Sequence, residues 1–173
     1  MLLLRTGKKC DMIGTDRSSA ENKEEQRMLK GIPPIISPEL LKVLCEMGHG
    51  DELVIADGNF PSASVGKDAV VIRADGHGTA ELLDAVLQLL PLDTYVEKPV
   101  ALMQVVPGDK EPTPAIWETY EQILQKHEPS HHAMEEVERF AFYERARKAY
   151  LIIASGETAA YANILLKKGV VKY

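Results

Sequence analysis

Apolar positions along the chain fall into blocks that switch between helical and strand spacing. Leu40, Leu41, Val43, Leu44 and Met47 recur at helical spacing. Ser37-Pro38-Glu39 precedes them, a hydroxyl N-cap followed by proline at the first helical position. The pattern therefore predicts a helix closed by Gly48 as a C′ glycine. Glu52 to Ala56 reads as a buried strand, Val65 to Asp68 as a turn, and Ala69 to Arg73 as a second strand. Thr79 is placed to cap a helix carrying Leu82, Leu83, Val86, Leu87, Leu89 and Leu90, which Pro91 to Thr94 breaks. Val100 to Val106 is a third strand. Pro114 to Lys126 is a helix with Trp117, Tyr120 and Leu124 spaced for burial. Glu135 to Glu138 is a short strand, and Phe140 to Lys148 has helical spacing. Tyr150 to Ala154 and Tyr161 to Lys167 are the closing strands.

Helices alternating with apolar strands imply a sheet covered by helices on both sides. The last two strands have no helix between them, so antiparallel pairing and a mixed sheet are expected. Residues 28–173 are expected to form one domain, a length that suits a single core. Residues 1–27 show no period after the short apolar start Met1-Leu2-Leu3-Leu4, which is too brief for a signal peptide. They read as a poorly packed extension, disordered or introduced by cloning, or alternatively as an arm that pairs with a partner subunit.

Composition narrows the function. Hydrophobic residues make up 45%, enough for a real core. A net charge of −6 without a basic stripe argues against nucleic-acid binding. The apolar runs are far short of a bilayer span. Two cysteines, Cys10 and Cys45, argue against a disulfide framework and suit a reducing cytoplasm. Cys45 lies in the apolar helical pattern and is expected to be buried and inert.

The candidate chemistry centres on Gly48-His49-Gly50 and Asp57. Histidine exchanges protons near neutral pH, and the glycines leave room beside the ring. A strand of five residues, roughly 17 Å long, separates His49 from Asp57 and argues against a local dyad. Either Asp57 binds substrate or a second subunit completes the site. A capping histidine and a turn aspartate are the plain alternative. Arg139, just before a helix, offers a guanidinium fork for a hydroxyl or oxyanion, whereas Arg147 and Lys148 read as a solvated face. Tyr161 and Asn163 alternate on the last strand, so both face one side, and phenol with amide suits sugar hydroxyls; cross-strand packing is the alternative for Tyr161. His77 reads as a solvated loop residue. His131 and His132 lack metal-ligand spacing, so no metal is expected. No GxSxG, CxxC, Walker loop or GxGxxG is present. What remains is acid–base chemistry with neither cofactor nor covalent nucleophile.

Met47-Gly-His-Gly-Asp-Glu-Leu-Val-Ile-Ala-Asp57, Asn59-Phe60-Pro61, Ile72-Arg-Ala-Asp-Gly76, Leu92-Asp-Thr-Tyr95, Arg139-Phe-Ala-Phe-Tyr-Glu-Arg145, Ser155-Gly-Glu157 and Tyr161-Ala-Asn-Ile-Leu-Leu-Lys-Lys-Gly169 together resemble the ribose pyranase / fucose mutarotase family, more its fucose branch. The resemblance covers about residues 28 to 171. It implies a three-layer α/β/α fold with a mixed sheet of about six strands. It implies interconversion of the α and β anomers of L-fucose without a cofactor. It also implies a homo-oligomer, a decameric ring of two stacked pentamers with sites at subunit contacts. His49 matches the family's proton donor. Asp57, Arg139 and Tyr161-Ala162-Asn163 match its substrate-binding positions. Pyranose–furanose interconversion of D-ribose and non-catalytic sugar binding on the same fold are the competing readings.

Overall fold

A computed structural model describes residues 29–109 and 113–172. The expected extension, residues 1–27, and Cys10 lie outside them. In chain order the elements are α1 (Pro38–Glu46), β1 (Glu52–Ala56), α2 (Ser62–Val65), β2 (Val70–Ala74), α3 (Thr79–Leu87), β3 (Val100–Met103), α4 (Ala115–His127), β4 (Met134–Val137), α5 (Arg139–Ala146), β5 (Leu151–Ser155) and β6 (Ile164–Lys167).

Six strands form one mixed sheet in the order β2-β5-β1-β6-β3-β4. β1 and β2 both pair parallel with β5, and β3 pairs parallel with β4. β6 lies antiparallel between β1 and β3. β5 and β6 therefore run in opposite directions but do not pair, because β1 stands between them. All strands except β6 point the same way. The carboxyl ends of β1 to β5 and the start of β6 share one edge of the sheet. The amino end of β1 and the end of β6 share the other.

Side chains alternate across each strand, and both faces are covered. On one face Leu53, Ile55, Ile153, Ile164 and Leu166 pack with Leu40, Val43 and Leu44 of α1, Leu82 and Val86 of α3, and Trp117, Tyr120 and Leu124 of α4. On the other, Val54, Ala56, Ile152 and Leu165 pack with Val65 of α2 and Phe142 and Ala146 of α5. The result is the expected three-layer arrangement.

Local details depart from the sequence reading. The Ser37 hydroxyl accepts the Leu40 amide at 3.1 Å, as its N-cap position predicts. Gly48, however, does not take a left-handed C′ conformation. The turn closes instead through Asp51, whose carboxylate accepts the Gly48 amide at 2.7 Å, and Gly50 is the residue at φ +88°. Gly78, not Thr79, is the N-cap of α3; the Glu81 carboxylate accepts its amide at 2.7 Å, which frees Thr79 for the interior. Ser62–Val65 is a short helix before the turn. Cys45 is exposed, not buried, because the inward stripe of α1 is Leu40, Val43 and Leu44, followed by the buried Met47 that caps the helix, and residue 45 falls outside it.

Candidate active site

At the carboxyl edge, β1 is followed directly by Asp57, which is buried. Asn163, the residue immediately before β6, holds it twice. The Asp57 amide donates to Asn163 Oδ1 at 3.0 Å, and Asn163 Nδ2 donates to Asp57 Oδ2 at 2.7 Å. The Asn59 amide donates to Asp57 Oδ1 at 2.9 Å. Burial raises the Asp57 carboxyl above its ordinary value, against the opposing pull of Asn59, Asn163 and the Phe60 and Ala162 amides.

A cleft of about 240 Å³ opens over this carboxylate, and Arg139, Tyr143, Phe60, Met103, Tyr161 and Asn163 line it. Arg139 opens α5, and its guanidinium lies 4.6 Å from the centre of the Phe140 ring. Its Nε is buried with no hydrogen-bond partner among the described residues. Buried donors are rarely left so, and the side chain that carries this one lines the cleft. The Tyr161 hydroxyl donates to Asp109 Oδ2 at 2.6 Å, and this bond raises the phenol's pKa. Tyr161 and Asn163 do not alternate on a strand: both precede β6, and Tyr161 sits at φ +57°. A non-glycine residue in that region costs on the order of 1–3 kcal/mol and persists only where its surroundings over-determine it. Ala162 is fully buried behind them.

His49 lies elsewhere. It precedes β1 at the opposite edge, where the Gly50 amide donates to the Lys168 carbonyl and the Asp93 amide to that of Lys167. Its Nε2 is 3.0 Å from Oδ1 of Asp93, a carboxylate only 2% exposed. Burial alone would raise the Asp93 carboxyl, but the Tyr95 amide, His49 and Lys167 together hold it below its ordinary value. The Tyr95 ring flanks His49 at 5.4 Å. A carboxylate on one ring nitrogen fixes the tautomer and leaves the other nitrogen for proton exchange.

Six candidate residues thus fall into two groups. Asp57, Arg139, Tyr161, Ala162 and Asn163 gather at one edge; His49 stands alone at the other, about one strand length away. Periodicity marks Pro91 to Thr94 as a helix break and gives Asp93 no chemical role, although Leu92-Asp-Thr-Tyr95 is one of the segments that carry the family resemblance. Arg145 is structural: its guanidinium meets Glu52 of β1 at 2.8 Å and Glu135 of β4 at 2.6 Å. His77 is partly exposed, 3.2 Å from Glu81. His131 and His132 donate to the Val96 and Glu128 carbonyls, each at 2.6 Å. Among the described residues no cluster of three or more His, Cys, Asp or Glu is placed to hold a metal ion, and no helix is long and apolar enough to cross a membrane.

Comparison with known proteins adds an independent line. Residues 30–171 match the RbsD / FucU transport protein family. Human fucose mutarotase is 55% identical over 146 residues, covering 82% of this chain and 94% of that protein. The crystal structure of FucU from Bifidobacterium longum superposes with a TM-score of 0.80 at 60% identity, covering 83% of this chain and all of that one. The fucose mutarotase of Streptococcus pneumoniae, solved in complex with L-fucose, gives 0.78 at 53% identity, again covering 83% of this chain and all of that one.

Proposed function

The chain belongs to the RbsD / FucU transport protein family, and we propose that it is an isomerase, an L-fucose mutarotase that interconverts the α and β anomers through general acid–base ring opening. Mutarotation protonates the ring oxygen while the anomeric hydroxyl loses its proton. The C1–O5 bond breaks to an open aldehyde, rotation about C1–C2 follows, and the 5-hydroxyl recloses on either face of the carbonyl. Proton transfer by one positioned group typically contributes 10²–10⁴-fold.

The observation that carries this reading is the division of labour in the fold. One edge offers a cleft of hydroxyl-binding groups, with Asp57 and Asn163 locked together and an Arg139 Nε that has no partner among the described residues. The other offers a histidine backed by a buried carboxylate. In this reading Asp57, Arg139, Tyr161 and Asn163 hold the sugar, Ala162 fixes the backbone between them, and His49 moves the proton. Phe60, Met103 and Tyr143 give the cleft an apolar wall that suits the C6 methyl group of fucose.

Neither edge alone completes the constellation, so the site is proposed to form where the His49 edge of one subunit meets the Asp57 edge of the next. Large apolar side chains are exposed on both sides: Tyr95, Val170 and Val171 toward the His49 end, Val106 and Phe140 toward the cleft. A head-to-tail contact of two different surfaces closes into a ring, in keeping with a decamer of stacked pentamers. A cytoplasmic location fits the sparse cysteines. Magnetisation-exchange NMR on equilibrated L-fucose, D-galactose and D-ribose tests the assignment: acceleration over buffer with fucose supports it, acceleration confined to ribose favours pyranase activity, and none with any sugar excludes mutarotation.

A further inference from the structure

The segment that carries Tyr161, Ala162 and Asn163 lies outside the sheet ladder, so the carbonyls of its first two residues need partners from elsewhere. Both come from one helix. Trp117 Nε1 of α4 donates to the Tyr161 carbonyl at 3.0 Å, and the Tyr120 hydroxyl, one turn on, donates to the Ala162 carbonyl at 2.8 Å. Tyr120 is fully buried, and Trp117 is 8% exposed. Leucine or phenylalanine would fill the same space, yet only indole and phenol bring a donor to the far end of the side chain.

The contact extends further. The Tyr120 oxygen lies 2.5 Å from Thr79 Oγ1, which is itself 3.3 Å from Glu157 Oε2, and the Thr79 amide donates to that same carboxylate oxygen at 3.3 Å. Glu157 Oε1 in turn accepts the Thr158 and Ala159 amides, each at 2.9 Å. The loop from Glu157 to Ala162 is therefore tied at both ends to α3 and α4. It needs such ties, because it holds Tyr161 in the left-handed region at φ +57°.

We infer that Trp117 and Tyr120 are positioning residues of the sugar cleft: by holding two successive carbonyls they aim the Tyr161 phenol and the Asn163 amide at the ligand. The inference rests on the reading of the cleft as the sugar site. Neither side chain touches the substrate. Their effect is on affinity, through a cleft that is already shaped before the sugar arrives.

Trp117→Phe and Tyr120→Phe test it, with Leu124→Ala as the control. Leu124 is a fully buried residue of the same helix, and its truncation destabilises without touching the 161–163 carbonyls. Thermal unfolding, L-fucose affinity by calorimetry, and KM and kcat by anomer exchange are measured for each. The inference predicts that both aromatic variants fold, that affinity and KM weaken roughly three- to ten-fold, the scale of one hydrogen bond, and that kcat changes by less than about two-fold. Leu124→Ala is expected to lower the melting temperature with KM unchanged. If the control weakens KM as much as the aromatic variants, affinity merely follows stability and the inference is overturned. Wild-type affinity in both aromatic variants overturns it alone, with the mutarotase intact. A wild-type protein that neither binds fucose nor speeds its exchange overturns both readings together.

Discussion

His49 Nε2 lies 3.0 Å from Oδ1 of the buried Asp93, and the same carboxylate oxygen accepts the Tyr95 amide at 3.0 Å. The carboxylate is thus fixed by the backbone before it meets the ring. It orients the imidazole with Nε2 as donor and leaves Nδ1 for the proton transfer proposed for His49. Removing His49 is expected to reduce anomer exchange by roughly 10²–10⁴-fold, with the fold intact because the ring is 45% exposed. Asp93→Asn keeps the shape and removes the charge. Its kcat is expected to fall by about ten-fold or more, since carboxylate partners of a working histidine commonly contribute on that scale, with KM little changed. Unaltered kcat in Asp93→Asn would show that Asp93 serves only the turn.

Asn163→Ala removes both hydrogen bonds that link it to Asp57. It leaves the Asp57 amide unpaired and takes one donor from the Asp57 carboxylate in a buried site, at a cost of about 1–3 kcal/mol in stability. KM for L-fucose is expected to rise more than kcat falls. Denaturant unfolding and exchange kinetics on the same preparation separate the two effects.

Arg145 is expected to affect stability without affecting chemistry. It joins Glu52 and Glu135, strands that the sheet keeps apart, and its side chain is 25% exposed. Truncating one member of a fully buried pair costs about 3–5 kcal/mol, and partial exposure brings the expectation for Arg145→Met to about 1–3 kcal/mol. KM and kcat per folded subunit are expected to match wild type. A selective KM change would place Arg145 in the site.

Acid pH is expected to loosen the cleft through Glu157. Burial opposes its ionisation, but the Ala159, Thr79 and Thr158 amides and the Thr79 hydroxyl outweigh it and hold the carboxyl below its ordinary value. A depressed carboxyl contributes stability that is complete above its unfolded pKa, about 4.3, and is lost as pH falls through the lower folded value. Melting temperature measured between pH 3 and 7 is expected to drop on the acid side, and Glu157→Gln is expected to flatten part of that drop. An identical acid profile in the variant would remove Glu157 from the account.

The sheet was legible because Glu52–Ala56, Val100–Met103 and Leu151–Ser155 are apolar runs bounded by turn residues, and the strand length between His49 and Asp57 already placed them at opposite ends. The order of strands was not legible, since nothing local in Ile164–Lys167 says that it inserts between β1 and β3. Tyr161 and Asn163 look like alternating strand positions because the apolar run Ile164-Leu165-Leu166 follows them directly; the hydrogen bonds from Trp117 and Tyr120 that bend the segment are long-range. Asp93 was hidden for a similar reason. Its role comes from burial against His49, 44 positions away, and such a contact leaves no period in the sequence. Cys45 shows the converse error: an apolar neighbourhood in sequence did not decide which face of α1 it occupies.

The most direct test mixes two inactive variants. His49→Ala and Asp57→Ala are each measured by L-fucose anomer exchange alone, then after being unfolded and refolded together in equal amounts. If each site takes His49 from one subunit and Asp57 from its neighbour, random assembly makes about a quarter of the sites intact, and exchange returns to about a quarter of the wild-type rate. A mixture as inactive as its components would contradict a site shared between subunits.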